Sequence, residues 1–359
     1  MPVDPRPATW RNSPQSRSKR EEEEKAAMHG FGFSRRGILG GAGFALTLLG
    51  QPAGAFPLRP IRILIPQAAG GVTDIAARLA ASHIQALGQP CVAEARAGAA
   101  GSIAALAVAR AAPDGHTLLM GTTSTHGTNP FTQAGLPYDP VADFEPVVNV
   151  GMVPSLITVR AEHPARSLAE LLDMARARAP GQAMTYGSAG TGGSIHLSVE
   201  ILRARAGIAL THVPYRGSGQ QLTDLVAGHL DFTMTAASSA MPLVQAGRVR
   251  ALAVTSLQPT ALAPGVPTVA SLGMPGYDTA SWNGLFAPKG TPEAVMEAIN
   301  QAFNAGIATP AGRDGFFRVG VDATGGTRDD LRRHVAAELV KWSQAARDAG
   351  VVPEKLDAP

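Results

Sequence analysis

The chain has 359 residues, 45% hydrophobic and 16% charged, with 40 glycines, 28 prolines and a single cysteine, Cys91. That length and apolar content suffice for a large core and two domains, and one cysteine excludes an internal disulfide or a cysteine metal cluster. The net charge of +3 hints at a polyanionic partner, but residues 1–55 hold eight of the 31 Lys and Arg and five of the 28 Asp and Glu, which leaves 23 of each sign beyond them. Nucleic-acid binding thereby loses its main support.

Residues 1–55 read as a polar leader followed by an export signal. Ser34-Arg35-Arg36-Gly37-Ile38-Leu39 is a twin-arginine pattern, an apolar stretch runs to Leu49, and Ala53-Gly54-Ala55 offers a small-x-small cleavage site. The mature chain is expected to begin near Phe56, and Met28 offers an alternative start to the leader. An apolar run of about a dozen residues is too short to span a bilayer, so the product is expected to be soluble and exported to the periplasm.

Strand-like and helix-like segments then alternate, which points to α/β layers with largely parallel sheets. Ile61 to Ile65 is a strand and Thr73 to Leu87 a helix closed by Gly88. Cys91 to Glu94 and Thr117 to Gly121 are strands flanking a small-residue helix near Ser102 to Ala111. Ser167-Leu168-Ala169-Glu170 is a capping box opening a helix that Pro180-Gly181 ends. Helices follow from Ser194 to about Arg205 and from Gln220 to Ala227, with strands at Leu230 to Met234 and Val249 to Thr255. Thr291-Pro292-Glu293 starts a helix with Thr as cap, and a last long helix spans Thr327 to Ala349. Phe144 to Arg160 and Tyr277 to Pro288 lack helical periodicity and read as crossings between domains.

Two strand-to-helix turns are rich in glycine: Pro66-Gln67-Ala68-Ala69-Gly70-Gly71-Val72-Thr73-Asp74 and Ser188-Ala189-Gly190-Thr191-Gly192-Gly193-Ser194. Glycine lets the backbone approach a ligand, and the helix that follows presents unpaired N–H groups at a positive dipole end. One such turn holds an anion weakly; two facing each other could hold a small dianion. Asp74 beside an anion site should repel the ligand, so it is expected to cap the turn's amides or hold a water. Thr122, Thr123, Ser124 and Asn129 follow a strand end at a plausible cleft position, and Tyr215, Arg216 and Ser218 precede another helix on the far side of the cleft. His196, one turn into its helix, reads as a packed residue. No G-x-S-x-G elbow, GxxxxGK[ST] loop or H-E-x-x-H pair is present, and the nine histidines are scattered. An enzyme, a metal site and a cofactor are therefore not expected.

The ordered series Pro66-x-Ala68-Ala69-Gly70-Gly71-x-Thr73-Asp74, Ala112-Pro113-Asp114-Gly115, Leu136-Pro137-Tyr138-Asp139-Pro140, His212-Val213-Pro214-Tyr215-Arg216-Gly217 and Trp282-x-Gly284-Leu285-x-Ala287-Pro288 resembles the periplasmic solute receptors of tripartite tricarboxylate transporters, the Bug-type family. The resemblance covers roughly residues 57–350. It implies a two-lobed type II periplasmic-binding-protein fold: two sheets flanked by helices, joined by two crossing segments, closing on a small carboxylate. Lobe 1 would comprise 56–157 and 279–350, lobe 2 158–278, with a tail at 351–359. In that family the two turns act as a pincer through backbone N–H groups. Carried over by position, the ligand-binding residues are Ala68, Ala69, Gly70, Gly71, Thr73, Asp74, Thr123, Ser124, Asn129, Ser188, Ala189, Gly190, Thr191, Gly192, Ser194 and Tyr215. Gln67 stands where the family usually has Phe, and Gly193 where Ser or Thr is common. The implied partners are the membrane permease subunits of a tripartite transporter, with the receptor itself a monomer. A second reading is a sensory receptor whose loaded form docks onto a signalling protein; a secreted hydrolase is a third.

Overall fold

The computed structural model describes residues 56–355, apart from Ala189, Gly190 and Arg216. The expected leader and cleavage site lie outside the described residues.

The first half of the chain builds alternating strands and helices: β1 (Ile61–Ile65), α1 (Val72–Ile84), β2 (Cys91–Ala95), α2 (Ser102–Ala109) and β3 (Thr117–Thr122). A π-helical turn at Ser124–Thr128, a single helical turn at Asn129–Thr132 and the short strand β4 (Gln133–Ala134) follow, then β5 (Phe144–Val153) and β6 (Ser155–Arg160). The middle holds α3 (Leu168–Arg176), β7 (Met184–Ser188), α4 (Ser194–Ala206), β8 (Leu210–Pro214), α5 (Ser218–Ala227), β9 (Phe232–Ala236), α6 (Ala237–Gln245) and β10 (Val249–Val254). The chain closes with β11 (Ser281–Pro288), α7 (Glu293–Ala308), α8 (Pro310–Arg318), β12 (Asp322–Gly325), α9 (Arg328–Asp348) and β13 (Glu354–Lys355).

Two mixed sheets result. One has the order β12-β5-β11-β3-β1-β2 and the other β10-β6-β9-β7-β8. β1 pairs in parallel with both β2 and β3, and β7 with both β8 and β9. Strands in such central positions are buried on both faces, which is why β1 reads as an almost unbroken apolar run. The ends of β1 and β7 therefore occupy equivalent places in the two lobes, and each feeds one of the glycine turns.

Each sheet carries its own apolar core. Ile63, Ile65, Leu118, Leu285, Phe303 and Phe316 pack on one face of the first sheet, while Leu64, Leu119, Trp282 and Phe286 pack on the other. Met184, Tyr186, Leu197, Phe232 and Leu171 form the core of the second. The chain leaves the first sheet at Pro154, between β5 and β6, and returns through residues 255–280 to β11. Helix α9 belongs to both cores: Leu331 and Val335 pack with the first lobe, Trp342 and Ala345 with the second. Beyond it, Glu354 and Lys355 pair in parallel with Gln133 and Ala134.

Some local expectations shift. The Ser167 hydroxyl accepts from the Glu170 N–H, as a capping box requires, but the Glu170 carboxylate takes the Arg166 N–H at 2.7 Å in place of the cap's own. That helix ends at Arg176, four residues before the proline. The Thr291 hydroxyl donates back to the Pro288 carbonyl at 2.8 Å and leaves Pro292 as the cap of α7.

Candidate ligand-binding cleft

The first turn is shaped by Gly70 and Asp74. Gly70 sits at φ +87°, a left-handed conformation that favours glycine. The Gly70 N–H donates to Asp74 Oδ2 at 2.9 Å, and Arg78 Nε reaches Asp74 Oδ1 at 3.1 Å. This N–H, and after it the Arg78 guanidinium, holds the Asp74 carboxyl below its ordinary range against the opposing effect of burial. The carboxylate anticipated as a source of repulsion is thus spent inside the turn. Gly71 is extended (φ −80°, ψ 170°) and caps α1 without a side-chain hydrogen bond, so the first N–H groups of the helix have no side-chain partner there. Gly71, Val72 and Thr73 line the cleft, whereas Ala68, Ala69 and Gly70 form the exposed tip of the turn.

The second turn repeats this plan. Gly193 is extended and caps α4, again with no side-chain hydrogen bond. Ser194 and Ile195 face the cleft, and Ser194 Oγ lies 3.4 Å from Ser281 Oγ on β11. Ser188 is fully buried, with its hydroxyl 2.7 Å from His212 Nε2. Gly192, at φ +72°, donates its N–H to His196 Nδ1 at 3.0 Å. Ala189 and Gly190 lie outside the described residues.

Two further helices aim at the same space. Helix α5 begins after Gly217 and α6 after Ala236, both without a side-chain cap. The N-terminal residues of α1, α4, α5 and α6 all line one cavity of about 500 Å³ between the two sheets. Among the described residues, no Asp, Glu, Lys, Arg or His lines it; Arg216, beside the lining residue Gly217, lies outside the described residues. Its polarity comes from hydroxyls and amides, among them Gln67, Ser155, Ser218, Ser239, Thr235 and Asn283. Thr235 Oγ1 and Asn283 Oδ1 are buried there without a hydrogen-bond partner.

The other anticipated residues divide. Thr123 and Ser124 line the cleft, with Thr123 Oγ1 accepting the Trp282 N–H at 3.0 Å. Asn129 is 1% exposed, and its amide donates to Ala100 O, Ser102 Oγ and Tyr138 Oη at 3.1 to 3.3 Å. It braces the turn where Ala99 and Ala100 hold positive φ. Asn129, Thr191 and Gly192 border a second cavity of about 570 Å³, which Ser124 joins to the first and Ala349–Val352 close. Tyr215 borders neither cavity; its hydroxyl donates to Asp224 at 2.8 Å. Ser155, Thr235 and Asn283 escaped the sequence reading because no glycine marks them: a polar residue at the end of an apolar strand is the only signal.

Helix N-termini attract anions through free N–H groups and an aligned dipole. A cleft between two lobes, lined by four of them and, among the described residues, by no charged side chain, is built as in the class of solute receptors. The chain matches the tripartite tricarboxylate transporter family receptor over residues 75–351 and belongs to that family. It is 33% identical over 300 residues to protein BugT of Bordetella pertussis, covering 83% of this chain and 91% of that one. Among solved structures it is similar to R. palustris Rpa4515 with adipate (TM-score 0.72, 36% identity, 83% of this chain and 99% of that one). MatC (Rpa3494) from Rhodopseudomonas palustris with bound malate is also similar (TM-score 0.68, 32% identity, 81% and 100%). The family is one of solute receptors, not enzymes.

Proposed function

We propose that this protein captures a small dicarboxylate in the interlobe cleft and delivers it, by closure of the lobes, to the membrane subunits of a tripartite-type transporter. The observation that carries the reading is the meeting of four helix N-termini without side-chain caps on one cavity whose described lining holds no charged residue. Each N-terminus is equivalent to roughly half a positive charge, so four offset about two negative charges without a cation from the described lining. Charge-assisted hydrogen bonds contribute about 1.5–3 kcal/mol each. A handful of them supports micromolar affinity, about 8 kcal/mol, after the costs of association. The adipate and malate of the two related structures carry two carboxylates each, in keeping with this count. Export through the leader would bring the receptor to its solute.

Isothermal titration with succinate, malate and adipate tests the reading, with the uncharged diamide succinamide as control. Gly71→Val is the informative variant. Gly71 has an ordinary φ of −80°, and an added Cβ meets only the Ala68 carbonyl, at 3.8 Å. The branched side chain would cover the α1 N-terminus without straining the turn. At least one diacid should bind to the wild type at micromolar concentration, and Gly71→Val should weaken it by about a hundredfold at an unchanged melting temperature. Equal binding of succinamide, or undiminished binding by Gly71→Val, would contradict the proposal.

A further inference from the structure

Behind the second turn lies a stack of aromatic rings that ligand capture does not itself require. Tyr186 on β7 and His212 on β8 are cross-strand neighbours, and their rings stack at 5.0 Å. The His196 ring, from the first turn of α4, stacks on His212 at 4.1 Å with an interplanar angle of 17°. Both imidazoles reach the turn from beneath. His212 Nε2 holds the Ser188 hydroxyl where the turn begins, and His196 Nδ1 accepts the Gly192 N–H just before α4. The turn is pinned at both ends to one pair of rings.

The protonation state of that pair follows from geometry. Because Nδ1 of His196 accepts a backbone N–H, its single proton sits on Nε2. A second proton would set two donors against each other at 3.0 Å and place a charge 4.1 Å from the His212 ring. The groups that face the pair are Glu200 and Arg203 on α4 and the Tyr186 hydroxyl, which donates to Glu200 at 2.9 Å. Burial depresses both rings: His196 falls below the ordinary range, with Glu200 opposing and Arg203 assisting. His212 is pulled down to about 4, with His196 adding to the effect of burial and Glu200 opposing it.

We propose that His196 and His212 are positioning residues for ligand capture: a stacked, neutral imidazole pair that keeps the second turn in its ligand-receiving shape, so that protonation of the pair releases the turn and weakens binding. The inference rests on the reading that this turn grips the carboxylate. Its sign is that of histidines favoured in the neutral form by the fold. In the folded receptor the pair stays neutral below the ordinary value of 6.5, so affinity is lost only as pH falls through the depressed folded values, about 4 for His212.

Titration of malate at a series of pH values from about 7.5 to about 3.5, alongside thermal melting without ligand, tests it in four proteins: wild type, His196→Ala, His196→Asn, and His196→Asn with His212→Gln. Asn presents an acceptor where Nδ1 stood, Gln an amide that donates or accepts where Nε2 stood, and neither titrates. At neutral pH His196→Ala should bind about tenfold more weakly, one hydrogen bond's worth, and His196→Asn should recover most of that loss. Across the acid limb the wild type should lose about three- to tenfold more affinity than the double variant, whose decline reports only protonation of malate itself. Equal binding by the Ala and Asn variants, or superimposable pH profiles for wild type and double variant, would overturn the inference. Gly71→Val separates the two levels: if it abolishes binding while the histidine variants change nothing, only this inference fails, and if it binds normally the reading beneath it fails as well.

Discussion

A carboxylate at the mouth of an anion site looks like an error until its partners are named. Asp74 is 4% exposed and spends its oxygens on the Gly70 N–H and the Arg78 guanidinium. Its charge is spent within the turn, and Gly71, Val72 and Thr73 at the start of α1 are left to line the cleft. Asp74→Ala is therefore expected to destabilise the protein by about 1–3 kcal/mol, through an orphaned N–H and an unpaired Arg78, and to weaken ligand binding, as thermal melting and titration calorimetry would show. Because folding depresses this carboxyl below 3.8, its contribution is present above that value and is lost as pH falls through the lower folded value. The difference in melting temperature between wild type and variant should then be constant at neutral pH and shrink only below about pH 4. A difference that shrank between about pH 7 and 5 would point to a histidine.

The same logic shows where the elements were legible. Both glycine turns could be read because glycine at the end of an apolar strand has few other uses, and the structure gives them matching φ/ψ plans at Gly71 and Gly193. The alternation of strands and helices, and with it the α/β class, followed from apolar runs such as Ile61 to Ile65. Contacts made across the molecule were not legible. Asn129, placed near the cleft by its position after a strand, borders the second cavity, but nothing in the sequence tells that its amide is also committed to Ala100 and Tyr138, partners 29 and 9 residues away along the chain. Asn283 lies within the recognisable Trp282-x-Gly284 pattern, yet only pairing with Thr122 and Gly151 puts it in the cleft wall. Helix α9 was readable as one amphipathic face, but not the fact that this face serves two cores.

Glu338, on that helix, is 4% exposed. It accepts N–H bonds from Trp282 Nε1 at 2.8 Å and Trp342 Nε1 at 2.7 Å, and it pairs with Lys341. One indole belongs to the returning strand β11 and the first core, the other to the second core. Replacing Glu338 with alanine strands two buried indole donors and leaves Lys341 with only the Asp278 carbonyl, a loss of about 3–5 kcal/mol for a broken buried ionic group. Glu338→Gln, which keeps an acceptor, should cost less. Chemical denaturation of both variants checks the order, and an Ala variant as stable as Gln would show that the carboxylate is not the joint between the helix and the crossing strand.

For the whole molecule, the arrangement is one of two sheets that share a cleft and few covalent links. The backbone crosses at Pro154 and again through residues 255–280, α9 lies across both cores, and β13 returns to β4. A ligand held by N–H groups from both sides gains its full set of bonds only when the lobes meet, so binding and closure are one event in energy. No helix among the described residues is long and apolar enough to cross a membrane.

The central claim, that main-chain donors from both lobes converge on one dianion, is tested most directly by amide ¹H–¹⁵N spectra during titration with a dicarboxylate such as malate. The account predicts that the resonances of Gly71 to Thr73 in one lobe and of Gly193 to Ile195 in the other move together and follow a single binding curve. Shifts confined to one lobe, or two curves with separate midpoints, would contradict it.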